Sequence, residues 1–130
     1  EEITLNDVRI LLAEDNMLNA EIAMTILEEY GFEVTKTADG KECLEELKRM
    51  PEHTYDIILM DIQMPNMDGY EATTQIRALE GERSRIPIVA MTANAFDEDK
   101  KKAIDTGMNG HVAKPIDIHV LIRTLKEVLL

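Results

Sequence analysis

Five short apolar runs, each separated from the next by an amphipathic stretch, constrain this chain more than any other feature. The runs are VRILLAE (8–14), FEVTKTA (32–38), YDIILMD (55–61), IPIVAMT (86–92) and GHVAK (110–114). Runs one, three and four are apolar on successive residues, the pattern of central parallel strands covered by helices on both faces. The second run alternates more and is predicted at a sheet edge.

The stretches between them have helical spacing. Residues 17–30 place Ile22, Ile26, Leu27 and Tyr30 on one face, and Gly31 stands where a left-handed cap belongs. Residues 40–50 repeat this with Cys43, Leu44 and Leu47 before Pro51, and residues 69–80 with Ala72, Ile76 and Leu79 before Gly81. A fourth helix is predicted over 97–106, with Ala103 and Ile104 inward and Gly107 behind it. A fifth starts after Pro115 with Asp117 as N-cap and Ile118, Leu121, Ile122, Leu125 and Leu129 as its apolar face.

Strand and helix thus alternate five times in 130 residues, enough for one domain with its own core. The fold class is α/β, a doubly wound parallel sheet with five helices. In such sheets ligands bind in the crevice at the carboxyl ends of the strands. Composition narrows the ligand. A formal net charge of −12 opposes nucleic-acid backbones and anionic membranes. The single Cys43 forms no internal disulfide, and no run approaches the ~20 apolar residues of a membrane span. The chain opens on Glu1 without a secretion signal, so a cytoplasmic piece of a longer protein is expected.

The strand ends carry Glu14 and Asp15 after the first strand, Asp61 after the third, Thr92 after the fourth and Lys114 after the fifth. Three carboxylates in one crevice repel one another unless a cation lies between them, and hard oxygen donors select Mg²⁺ or Mn²⁺. Asp15 alone reads equally well as a helix N-cap. Pro115 constrains the loop that would aim Lys114 inward, and the isomer of the bond between them is left open.

LLAEDN, DIILMDIQMPNMDG, IVAMTANA and VAKP, in this order and at these strand ends, resemble the receiver domain of two-component response regulators. The resemblance runs from about residue 8 to 130, leaving 1–7 as an N-terminal tail or linker. It implies a flavodoxin-like (βα)₅ sheet of strand order 2-1-3-4-5. It implies that Glu14, Asp15, Asp61 and the backbone carbonyl of Gln63 hold Mg²⁺. Asp61 would accept a phosphoryl group from a phosphohistidine of a histidine kinase or histidine phosphotransfer domain, or from a small-molecule phosphodonor. Thr92 and Lys114 would contact that group and pass on a change of conformation. Pro65 and Gly69 are assigned to shaping the rim of the site, and Gln63 and Asn94 flank the reaction centre. AEDNMLNAEIA and VAMTANA look more like receivers attached to hybrid histidine kinases than those of DNA-binding regulators.

One departure stands out. His111, three residues before Lys114, occupies a position where the family pattern has Tyr or Phe. As a switch candidate it would rotate on phosphorylation; the preferred reading is a partly exposed histidine without that role. Met17, Ala20 and Met24 form a second stripe on the first helix, either a docking surface for a histidine-bearing helix or part of the core. The Lys100-Lys101-Lys102 run reads as a solvated helix face.

Two rival functions share the architecture. A Mg²⁺-dependent phosphatase of the haloacid dehalogenase type needs a second aspartate two residues after its nucleophile, where this chain has Gln63. A flavodoxin-like binding module needs a phosphate-cradling first loop, where Glu14-Asp15-Asn16 presents negative charge. The chain carries no kinase nucleotide site and no phospho-accepting histidine helix. It is therefore read as a stoichiometric phosphoacceptor rather than an enzyme.

Overall fold

The computed structural model describes residues 7–93 and 97–129. Residues 1–6 of the expected tail, and Asn94, lie outside the described residues. Five parallel strands, β1 (Arg9–Ala13), β2 (Glu33–Thr37), β3 (Ile57–Asp61), β4 (Ile88–Thr92) and β5 (Gly110–Ala113), form one sheet in the order β2-β1-β3-β4-β5. The helices are α1 (Met17–Glu29), α2 (Gly40–Arg49), α3 (Gly69–Arg77), α4 (Asp97–Thr106) and α5 (Ile118–Leu129), with a 3₁₀ turn at Gly81–Arg85.

Successive residues of the central strands feed opposite layers. Leu11, Ile58, Met60, Ile88 and Ala90 pack with α2, α3 and α4 through Leu44, Leu47, Ile76 and Ala103. Ile10, Leu12, Ile57, Leu59, Val89 and Met91 pack with α1 and α5 through Ala23, Leu27, Leu121 and Leu125. This two-sided burial is why runs one, three and four read as unbroken apolar segments. β2, at the edge, buries only Thr37 fully.

Three sequence expectations are corrected. Ile22 and Tyr30 are 51% and 48% exposed, while Ala20, Ala23 and Leu27 form the inward face of α1. Small residues win there because they bring the helix axis close to the sheet, whereas the spacing argument weighs size. Ile104 on α4 is likewise exposed, at 64%. The third helix ends at Arg77, capped at Ala78, and Gly81, at φ +77°, begins the 3₁₀ turn instead. The left-handed Gly31 and Gly107 do follow α1 and α4.

Caps fix the helix starts. Asp39 accepts from Glu42 N at 2.8 Å, Asp68 from Glu71 N at 2.8 Å and Asp117 from His119 N at 2.9 Å.

Candidate functional site

The parallel register brings the strand ends level. Ala13 pairs with Thr37 and Met60, Asp61 with Met91, and Thr92 with Ala113. Backbone bonds carry the ladder just beyond: Glu14 N to Thr37 O at 3.1 Å, Ile62 N to Met91 O at 3.2 Å, and Lys114 N to Thr92 O at 2.8 Å. Residues 14, 15, 61, 92 and 114 therefore leave the sheet at a single edge, around a cavity of about 310 Å³ that Gln63 and Tyr70 also line.

The N-cap of α1 is Asn16, whose Oδ1 accepts from Asn19 N at 3.0 Å. Asp15 is thereby released from the capping role open to it, and its carboxylate joins Glu14 and Asp61, with one oxygen from each within 4.8 Å of the others. Mg²⁺ with ligands at about 2.1 Å places opposite oxygens about 4.2 Å apart, so the cluster is already near the span such an ion needs. The residues fit a divalent cation.

Lys114 supplies the positive charge in this geometry. Its Nζ lies 2.8 Å from Glu14 Oε2 and 2.8 Å from Asp61 Oδ2. The remaining donors are backbone amides: Asn16 N gives to Glu14 Oε1 at 3.2 Å, and Gln63 N to Asp61 Oδ1 at 3.4 Å. Burial, reinforced by the negative charge of Glu14 and opposed by Lys114, pushes the Asp61 carboxyl up to about 6. Burial works against the charge of Lys114, but its bonds to Asp61 and Glu14 outweigh that and hold its pKa above the usual lysine value. Among the described residues, one ammonium thus bridges two of the three clustered carboxylates.

Thr92 is buried, and its Oγ1 has no hydrogen-bond partner among the described residues. A buried hydroxyl without a partner is costly, and in this cavity it is a donor waiting for an acceptor.

The rim follows from local sequence. Gly69 N donates to Ile62 O at 2.9 Å, and a Cβ on Gly69 would overlap the carbonyl oxygen of Asp61. Only glycine lets α3 start against the end of β3. Pro65 O accepts from Met67 N at 2.6 Å, and Asn66, at φ +66°, donates from Nδ2 to Asp39 Oδ2 at 2.8 Å, tying this turn to the start of α2. The Lys114–Pro115 bond is cis.

His111 is partly buried on β5 and does not line the acidic cavity; burial and the nearby charge of Lys100 hold its ring below the usual histidine value. The proposed docking stripe splits. Ala20 is core and Met24 packs against the core, while the exposed apolar side chains of α1 are Met17, Leu18 and Ile22. Beside them an apolar cavity of about 340 Å³ opens between α1 and Pro115, lined by Ile22, Ala23, Ile26 and Ile116. Tyr70 escaped the sequence reading, although its place directly after the rim glycine was a usable signal.

Comparison with known proteins decides the family: residues 10–126 match the response regulator receiver domain. The chain belongs to that family. Receiver domains are the phosphoacceptor modules of two-component and phosphorelay systems. This one is 41% identical over 122 residues to the peroxide stress-activated histidine kinase mak1 of Schizosaccharomyces pombe, covering 92% of the chain and 7% of the kinase. It is 41% identical over 120 residues to hybrid signal transduction histidine kinase I of Dictyostelium discoideum, covering 90% of the chain and 7% of that protein. Among solved structures, the receiver domain of sensor histidine kinase PA1611 from Pseudomonas aeruginosa, with magnesium coordinated in its active-site cleft, superposes with TM-score 0.83 at 40% identity, covering 95% of this chain and 98% of that one. The receiver domain of Ssk1 in complex with the histidine phosphotransfer protein Ypd1 of Saccharomyces cerevisiae matches with TM-score 0.84 at 28% identity over 98% of this chain and 92% of that structure's chain. Strand order agrees with the expectation for this receiver domain. No helix among its described residues is long and apolar enough to cross a membrane.

Proposed function

We propose that Asp61 is the phosphoacceptor of this receiver domain and that Glu14, Asp15, Asp61 and the carbonyl of Gln63 hold Mg²⁺, with Mn²⁺ as a substitute. The observation that carries the reading is the convergence of three carboxylates, one ammonium and an unpartnered hydroxyl on one cavity. A bound Mg²⁺ would supply charge neutralisation where an anionic phosphoryl group meets an anionic carboxylate.

The chain's own residues do the rest. An Asp61 oxygen attacks the phosphorus of a phosphohistidine; the P–N bond breaks, and the imidazole leaves with its electron pair and takes up a proton. Lys114, released from bridging two carboxylates, is placed to meet a phosphoryl oxygen, and the Thr92 hydroxyl gains the acceptor it lacks. Both side chains sit at strand ends that lead into loops, so their recruitment changes the conformation of the β4–α4 and β5–α5 connections. Hydrolysis later returns the carboxylate, which makes the domain a stoichiometric acceptor that resets itself. His111 does not line this cavity and is given no switching role.

The donor is a histidine kinase or a histidine phosphotransfer domain, seated on Met17, Leu18 and Ile22 of α1 beside the apolar cavity at Pro115. Small phosphodonors serve as substitutes. The receiver occupies residues 8–130, with 1–7 as tail or linker, in a cytoplasmic hybrid histidine kinase; the identity to mak1 and to the Dictyostelium kinase supports that parent.

Incubation with a small phosphodonor and Mg²⁺, followed by intact-mass measurement, tests the reading. Wild type gains one phosphoryl group and Asp61→Asn gains none; an equal adduct in both contradicts it.

A further inference from the structure

Tyr70 borders two adjoining spaces. It lines the acidic cavity with Asp61 and Thr92, and with Asp15 and Gln63 it also lines a neighbouring groove of about 630 Å³ that reaches Met64, Pro65 and Lys102. Its position is set by its neighbour, because Gly69 locks the start of α3 to the end of β3 and leaves no freedom between Tyr70 and the Asp61 backbone. The ring packs partly buried against the core. From the groove side, Lys102 of α4 places its Nζ 4.4 Å from the ring centroid, a cation–π contact that fixes the ring. Lys102 belongs to the lysine run that reads from sequence as mere solvated surface.

We propose that Tyr70, seated by Lys102, is a positioning residue that shields a phosphoryl group on Asp61 from water and so sets its lifetime. The inference rests on Asp61 being the phosphoacceptor. Loss of the group requires water to attack phosphorus, with the bond from phosphorus to the Asp61 oxygen breaking, its electron pair returning to the carboxylate, and a proton leaving the water as inorganic phosphate is released. Thr92, Lys114 and the backbone after Asp61 line the cavity on the sheet side, and it opens to water past the exposed Asp15, Asn16 and Asn19 and along the groove that Tyr70 borders. The ring stands on the groove approach, where it narrows the access of water to a group on Asp61. Excluding water from a reactive intermediate prolongs it without any contact to the reacting bond.

The test loads wild type, Tyr70→Ala, Tyr70→Phe, Lys102→Gln and Lys101→Gln with a small phosphodonor and Mg²⁺. The donor is then removed and the phosphorylated fraction followed by intact mass. Tyr70→Ala is expected to shorten the half-life about fivefold, with loading no slower than in wild type. Tyr70→Phe retains the wild-type half-life, Lys102→Gln falls between, and Lys101→Gln, on the same helix but off the ring, matches wild type. A structural defect would slow loading as well as shorten lifetime. Lys102 is exposed, so its variant reports even if Tyr70→Ala folds poorly. Unchanged half-lives in both Tyr70→Ala and Lys102→Gln overturn the proposal, as does Tyr70→Phe decaying as fast as Tyr70→Ala. A wild type that takes up no phosphoryl group overturns the phosphoacceptor reading first, and this inference with it.

Discussion

The two ends of the sheet treat buried charge in opposite ways. At the amino end, Arg77 reaches Gly107 O at 2.9 Å, Ser84 O and Ile86 O at 2.8 Å each, and Asn109 Oδ1 at 2.9 Å. Every one of these partners is a neutral oxygen, and burial holds the guanidinium below its usual pKa. Arg83 adds bonds to Leu47 O at 3.0 Å and Met50 O at 2.6 Å, and pairs one to one with Glu52 at 3.3 Å. At the carboxyl end, Lys114 divides itself between two carboxylates, a third joins them in the same cluster, and the Thr92 hydroxyl has no partner among the described residues. One end closes its hydrogen bonding and fastens α3, α4 and the strand starts together. The other keeps a surplus of negative charge that only an added cation and an added acceptor resolve. Rigidity and responsiveness are thus assigned to opposite edges of one sheet.

Removing the clamp should break the comparison most visibly. Arg77→Met strands three backbone carbonyl oxygens, since Asn109 Oδ1 keeps its bond from Ile88 N, and is expected to cost about 3–4 kcal/mol, roughly 10 °C or more in Tm, while leaving the stabilisation by Mg²⁺ intact. Loss of the Mg²⁺ response in this variant would show that the two ends are not independent. Gly69→Ala should cost about 2–3 kcal/mol in a denaturant titration, because its Cβ meets the Asp61 carbonyl and the start of α3 must shift. Unlike Arg77→Met, it should also weaken the Mg²⁺ response, since the shift occurs at the site.

The pH dependence sharpens the contrast further. Asp61, pushed up to about 6, holds its proton more tightly folded than unfolded. Its contribution to stability is therefore complete below about pH 4, where the unfolded carboxyl titrates, and is lost as pH rises through about 6. The metal-free domain should lose on the order of 2 kcal/mol from this group across that window in denaturant melts, and Asp61→Asn should abolish the loss. The smallest effect belongs to Arg9, whose half-exposed ion pair with Asp56 spans 3.2 Å at the amino end. Arg9→Gln should change stability by only about 0.5 kcal/mol in the same melts.

These regions also differ in how legible they were from the residues alone. The carboxyl edge was readable because strand ends are marked by abrupt changes from apolar to polar or charged residues, and Glu14, Asp15, Asp61, Thr92 and Lys114 each sit at such a change. The structure brings all five to one cavity. The Arg77 clamp was not readable, since its partners are backbone oxygens and no side-chain pattern announces them. The inward face of α1 was misjudged for a related reason: Ala20 and Ala23 touch the sheet because they are small, and Ile22 is turned outward by the same rotation. Asp15 and Asn16 compete for one cap by type, and only the fold shows that Asn16 takes it. Tyr70 carried a local signal in its place after Gly69, but its contact with Lys102 was hidden, because Lys102 lies far along the chain on a different helix.

Thermal unfolding of wild type and Asp61→Asn, each with and without Mg²⁺ at neutral pH, tests the central claim most directly. If the carboxyl edge holds charge that a divalent cation relieves, the variant melts higher than wild type without metal, and Mg²⁺ raises wild type but has far less effect on the variant. A wild type that melts no lower than Asp61→Asn and does not respond to Mg²⁺ would contradict the account.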